Sequence, residues 1–144
     1  MQEGAGVTEK SMAVDMRGLC PLIQVFDMPT SLHFYRDVLG FEIVQRSQDS
    51  DECGWCWLRS AGGAELMLNT AYDDGERPPM PDAARMRAHD DTGLFIGCPD
   101  VDAAYEYLKA QGVAKNPPNV AWYGMKQLYI RDPDGFGICF QWKA

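Results

Sequence analysis

The chain has 144 residues, 46% hydrophobic and 24% charged, with a net charge of −8, an ordinary composition for one globular domain or two small halves packed together. The acidic balance makes nucleic acid and anionic membrane surfaces poor partners, and no run approaches the roughly 20 apolar residues that span a bilayer. The first ten residues are polar with no apolar stretch behind a basic cluster, so the expected compartment is the cytoplasm.

Residues 1–17 show no sustained periodicity and are expected to form a loose arm before a single domain over 18–144. Leu22-Ile23-Gln24-Val25-Phe26 alternates as a strand and is punctuated by Asp27-Met28-Pro29. Thr30 and Ser31 offer capping hydroxyls, Phe34, Tyr35, Val38 and Leu39 make apolar pairs at helical spacing, and Gly40 is placed to end the helix. Strands are predicted over 41–46, 54–59 and 64–69, the last two joined by a turn at Gly62-Gly63. A long loop, 70–91, carries Pro78, Pro79 and Pro81, a length that suits a pocket cover or a dimer contact. The same order then recurs: a strand over 93–98, a break at Pro99-Asp100, and a helix with Val101, Ala104, Tyr105 and Leu108 on one stripe, ended by Gly112. Strands follow near Val120, over 126–131 and over 136–142, with Asp132-Pro133-Asp134-Gly135 as the hairpin turn of the last pair. Gly40 and Gly112 lie 72 positions apart, as do Met67 and Cys139. A repeated β-α-β-β-β unit explains this, with modules at 18–69 and 92–144.

The five cysteines are odd in number and sit in a chain able to build a core, so reduced thiols are expected. Cys53 and Cys56 form a C-x-x-C. Read as part of an extended run, positions three apart point to opposite faces, which argues against a redox or zinc pair. Of the two histidines, His33 is expected on the exposed face of the first helix, and His89 at the end of the long loop.

Asp27-x-x-x-Ser31-x-x-Phe34-Tyr35-x-x-x-Leu39-Gly40-Phe41 resembles the first-helix signature of the vicinal oxygen chelate superfamily, which includes glyoxalases, bleomycin-resistance proteins and dioxygenases. Arg131-Asp132-Pro133-Asp134-Gly135 resembles its last hairpin, and Trp122-Tyr123-Gly124-Met125 resembles the bleomycin-resistance branch. The resemblance spans roughly Leu19 to Trp142. It implies an α+β fold in which two βαβββ modules form a curled mixed sheet around a concave pocket, and a homodimer whose pockets are often built from both chains. Metal-dependent members place a His, Glu or Gln ligand on each of four strands. The matching positions here are Cys20, Met67, Gly93 and Cys139, none of which carries such a side chain, so no metal or other cofactor is expected. Alternatives are a soft ion on the Cys20 and Cys139 thiols and a rearranged site using His89.

Strand alternation then assigns the pocket face. Ile23, Val25, Cys56, Leu58, Leu66, Leu68, Leu94, Ile96, Leu128, Ile130, Ile138, Phe140 and Trp142 are expected to pack inward. Leu22, Gln24, Phe26, Trp55, Trp57, Arg59, Glu65, Met67, Asn69, Phe95, Gly97, Gln127, Tyr129, Cys139 and Gln141 then face the cavity. The candidate ligand-binding set is Gln24, Trp55, Trp57, Glu65, Met67, Asn69, Phe95, Trp122, Tyr129, Cys139 and Gln141, aromatic walls with a few amides and one acid. The expected activity is binding of a planar small molecule or antibiotic, for which the acidic charge is compatible with a cation. No catalytic residue is assigned. The alternative is a glyoxalase-like lyase or isomerase, or a dioxygenase, with an atypical metal site. A third reading is a degenerate regulatory or interaction module whose pocket is filled by its own side chains.

Overall fold

In the computed structural model the described residues are 13–73 and 75–144, so most of the expected arm, residues 1–12, lies outside them. Residues 15–21 run without helix or strand into β1 (Leu22–Val25). The strand stops one residue earlier than predicted, because Phe26 turns away to meet Tyr72 edge-on. The helix α1 (Met28–Leu32) starts at Met28 rather than after it. Its N-cap is the Asp27 side chain, which accepts from the Thr30 N–H at 3.1 Å, and Pro29 occupies the first turn, where its missing N–H costs nothing. The expected Thr30 and Ser31 caps are corrected accordingly: Thr30 donates to Asp27, and Ser31 is buried. The helix then widens to a π-turn over His33–Val38, and Gly40 leaves it at φ 92°.

Three strands complete the first module, β2 (Glu42–Arg46), β3 (Trp55–Arg59) and β4 (Glu65–Thr70). The segment read as a long loop contains a short helix, α2 (Ala83–Ala88), capped by Asp82, and a 3-10 turn at His89–Asp91. Alanines and arginines with no apolar stripe concealed it, and none of its residues is buried. The second module repeats the first, with β5 (Gly93–Gly97), α3 (Val101–Ala110), β6 (Asn119–Val120), β7 (Met125–Arg131) and β8 (Gly137–Lys143).

Each module forms one four-stranded mixed sheet, ordered β1-β4-β3-β2 and β5-β8-β7-β6. The internal repeat extends to the register. Trp57 and Leu22 flank Met67 in the first sheet, and Tyr129 and Phe95 flank Cys139 in the second. One face of each sheet packs on the helices, with Val25, Cys56, Leu58, Leu68, Leu128 and Ile138 all inaccessible to solvent. Trp142 departs from its expected inward placement. It is exposed, in the last two residues of β8, where burial along the strand has given way to solvent.

The two modules are joined behind the sheets. Asp132 in the last hairpin accepts from the Tyr35 hydroxyl at 2.7 Å, and from the N–H groups of Asp134 and Phe136. Asp134 accepts from the Phe26 N–H at 2.8 Å, while His89 stacks on Phe136 with ring centroids 3.9 Å apart. Among the described residues no helix is long and apolar enough to cross a membrane.

Candidate ligand-binding site

The strands that bury one side chain in two toward the helices present the others on a second face, and this face carries ten of the eleven candidates. On the first sheet the rows are fixed by register: Gln24, Asn69 and Trp55 lie side by side, then Leu22, Met67 and Trp57, then Glu65 opposite Arg59. Asn69 donates to the Gln24 amide oxygen at 3.2 Å. Arg59 donates to Glu65 at 3.0 Å and lays its guanidinium over the Trp57 ring, 4.9 Å from the centroid. The Trp57 indole N–H is buried and has no acceptor among the described residues. An unpaired buried donor of this kind costs about 1–3 kcal/mol.

On the second sheet Phe95, Cys139 and Tyr129 form one row, and Gly97, Gln141 and Gln127 the next. Phe95 and Tyr129 meet edge-on at 6.3 Å. Gln127 is buried, donates to both Gln141 and the Tyr123 hydroxyl, and accepts from Tyr129 at 3.2 Å. The amides of this face therefore hold one another in place. Trp122, the eleventh candidate, stands in the turn between β6 and β7 and is 96% exposed.

The structure thus gathers the candidates into two groups, one per sheet. Among the described residues no strand pairing joins the two sheets, and β1 and β5 each keep one open edge. Phe95 and Tyr129 are exposed by 52% and 56%, large values for aromatics inside a pocket. A cavity of about 620 Å³ lies elsewhere, beside β7 where the two-residue β6 leaves it uncovered. It is lined by Phe34, Val113, Tyr129 and Arg131 among others, and Tyr129 is its only candidate residue.

The ligand positions of the metal-dependent relatives can be tested on the donors present. Burial pushes the Cys139 thiol above its ordinary range, and burial followed by the Glu65 charge does the same for Cys20. Thiols held protonated are poor ligands. Met67 supplies a thioether, and Gly93 supplies no side chain, its free side lying 3.3 Å from the Phe95 ring. Among the described residues no three His, Cys, Asp or Glu side chains gather in a way that could hold an ion. His89 points its Nδ1 at the Asp134 carbonyl, 2.7 Å away. These residues do not fit the metal that the fold's enzymes use.

Two features were not anticipated from sequence. Cys53 lies in the turn ahead of β3, outside the extended run, and is as buried as Cys56. The opposite-face argument therefore fails for this pair: both thiols enter the core. Burial holds Cys53 above the usual thiol range and pushes Cys56 up to about 12, the behaviour of inert core thiols. The second feature is Arg59, whose pairing with Glu65 was readable in principle, because a hairpin turning at Gly62-Gly63 sets those residues opposite each other.

The chain is 27% identical over 133 residues to the lactoylglutathione lyase of Haemophilus influenzae, an alignment covering 87% of this chain and 91% of that enzyme. Among solved structures it is similar to TnmS3, an antibiotic binding protein from Streptomyces sp. CB03234. That match has 23% identity and a TM-score of 0.67, covering 93% of this chain and all of the other. It is also similar to a glyoxalase/bleomycin resistance protein from the same strain, with 24% identity and a TM-score of 0.61, covering 85% of this chain and 97% of that one. The family model matches residues 19–140. With the repeated module, the open mixed sheets and the two signature motifs, this match establishes that the chain belongs to the Glyoxalase/Bleomycin resistance protein/Dioxygenase superfamily.

Proposed function

We propose that this protein binds a planar organic metabolite or antibiotic in an aromatic pocket without a metal, and acts by occupancy rather than by making or breaking bonds. The observation that carries the reading is a substitution of chemistry at constant fold. The four positions that would grip an ion hold Cys20, just ahead of β1, and Met67, Gly93 and Cys139 on strands, while Trp57 flanks Met67, Phe95 and Tyr129 flank Cys139, and Trp55 lies in the row beside Met67. Aromatic walls with few fixed polar groups suit a flat ligand. Micromolar binding requires about −8 kcal/mol, and stacking on two or three rings with desolvation supplies a large part of it. The antibiotic-binding relative of like fold supports the class of ligand.

We place the working pocket between the first sheet of one protomer and the second sheet of its partner in a cytoplasmic homodimer. Support comes from the open edges of β1 and β5 and from the exposed Phe95, Tyr129 and Trp122. A thermal-shift panel of planar heteroaromatics tests the binding. At least one compound is expected to raise Tm in wild type and to lose that effect in Trp55→Ala. A panel without a single hit, or a monomer by sedimentation velocity at micromolar concentration, contradicts the proposal.

The lyase relative favours a second reading, a glyoxalase-like enzyme with unusual ligands. Stoichiometric divalent metal in protein purified without added metal, lost in Cys20→Ala or Cys139→Ala, would select it.

A further inference from the structure

The net charge of −8 suggests an acidic site that welcomes cations, yet the charge at the aromatic face is arranged otherwise. Arg59 and Glu65 sit directly opposite each other on β3 and β4, 3.0 Å apart, so the one acid of the candidate set is already neutralised. The same guanidinium lies over Trp57, at the distance where a ligand cation would be drawn to the ring. The seat for a cation is therefore filled by the protein's own side chain. What the first sheet leaves unmet is a donor, the buried Trp57 indole N–H. No neighbour among the described residues supplies the missing acceptor: Met67 beside it offers only a thioether, and neither amide of the next row bonds to the indole.

We propose that Arg59 and Trp57 set the specificity of this site for uncharged or anionic planar aromatics bearing an acceptor oxygen, and against cations. The inference rests on the aromatic faces being the ligand site. A carbonyl or carboxylate that reaches the indole edge as the side chains covering it shift gives the N–H its acceptor, and it meets no unpaired acid there, because Arg59 already neutralises Glu65. A cation must displace Arg59 from the ring and leave it near a second positive charge, which is unfavourable at any protonation state of the site, because guanidinium does not titrate in the physiological range.

Three probes built on one ring skeleton separate charge from shape: acridone (neutral, with a carbonyl), acridine-9-carboxylate (anionic) and 9-aminoacridine (cationic at neutral pH). Isothermal calorimetry on the full chain at pH 7.5 is expected to show acridone and the carboxylate binding at least tenfold more tightly than 9-aminoacridine. Arg59→Gln, at an exposed position, is expected to improve 9-aminoacridine about tenfold. Trp57→Phe, which keeps a ring but removes the N–H, is expected to weaken the two oxygen-bearing probes five- to tenfold and leave 9-aminoacridine within twofold. Circular dichroism checks that both variants fold. If wild type prefers 9-aminoacridine, or Arg59→Gln leaves the ratio unchanged, the specificity proposal is overturned while the planar-ligand site stands. If none of the three probes binds, both fall.

Discussion

Asp132 and Asp134 show how a few residues tie two modules into one body. Both are buried at the last hairpin and accept bonds from Tyr35, Ser31 and the Phe26 N–H of the first module. Burial raises both carboxyls above their ordinary value of 3.8, and the bonds they accept only partly oppose it. A carboxyl raised in the folded state binds its proton more tightly there than in the unfolded chain, so its contribution to stability is complete below about pH 4 and is lost as pH rises through the folded value. Unfolding free energy is therefore expected to be greater at pH 5 than at pH 8. Relief of the net charge acts in the same direction. Asp132→Asn separates the two effects. It is expected to destabilise the fold by about 2–4 kcal/mol, because the amide has one oxygen where the carboxyl has two and its nitrogen must replace the acceptor of either the Tyr35 hydroxyl or the two N–H groups, and to reduce the difference between pH 5 and pH 8. Urea denaturation at the two pH values measures both, and an unchanged pH difference in the variant would contradict the assignment.

At the scale of elements, the strands and their parity were legible because single positions repeat at period two: Ile23 and Val25, Cys56 and Leu58, and Leu66 and Leu68 bury alternately. The turn glycines were equally readable, since Gly40, Gly63, Gly112 and Gly135 all take positive φ. Two helical elements were not. Helix α2 has no apolar stripe, and the π-turn over His33–Val38 keeps the residue spacing of an ordinary helix. The cap of α1 was misassigned to hydroxyls, although Asp27 lies one residue outside Met28 with extended φ and ψ. Burial raises its carboxyl, but bonds from Thr30 and Arg77 outweigh that and hold it below its ordinary value. Asp27→Ala is expected to cost about 0.5–2 kcal/mol in urea denaturation. No change in midpoint would show that Pro29 alone starts the helix.

At the scale of the molecule, the fold was readable through its repeat and its two motifs, and the distribution of the candidate site was only half readable. Parity told which side chains leave the core, yet nothing in strand alternation tells whether Trp55 and Phe95 face one another in one chain or across two. That depends on how the open edges of β1 and β5 are covered. Nor did composition reveal that Arg59 fills the seat over Trp57, because net charge carries no information about pairing.

The central claim is that flat ligands are held here by aromatic faces and not through an ion. Its most direct test is calorimetric titration of acridone into protein dialysed against EDTA, repeated after addition of one equivalent of nickel or zinc. The account predicts binding in the chelated protein, with a Kd that agrees within twofold across all three preparations. Binding that vanishes with the chelator and returns with the metal would contradict it.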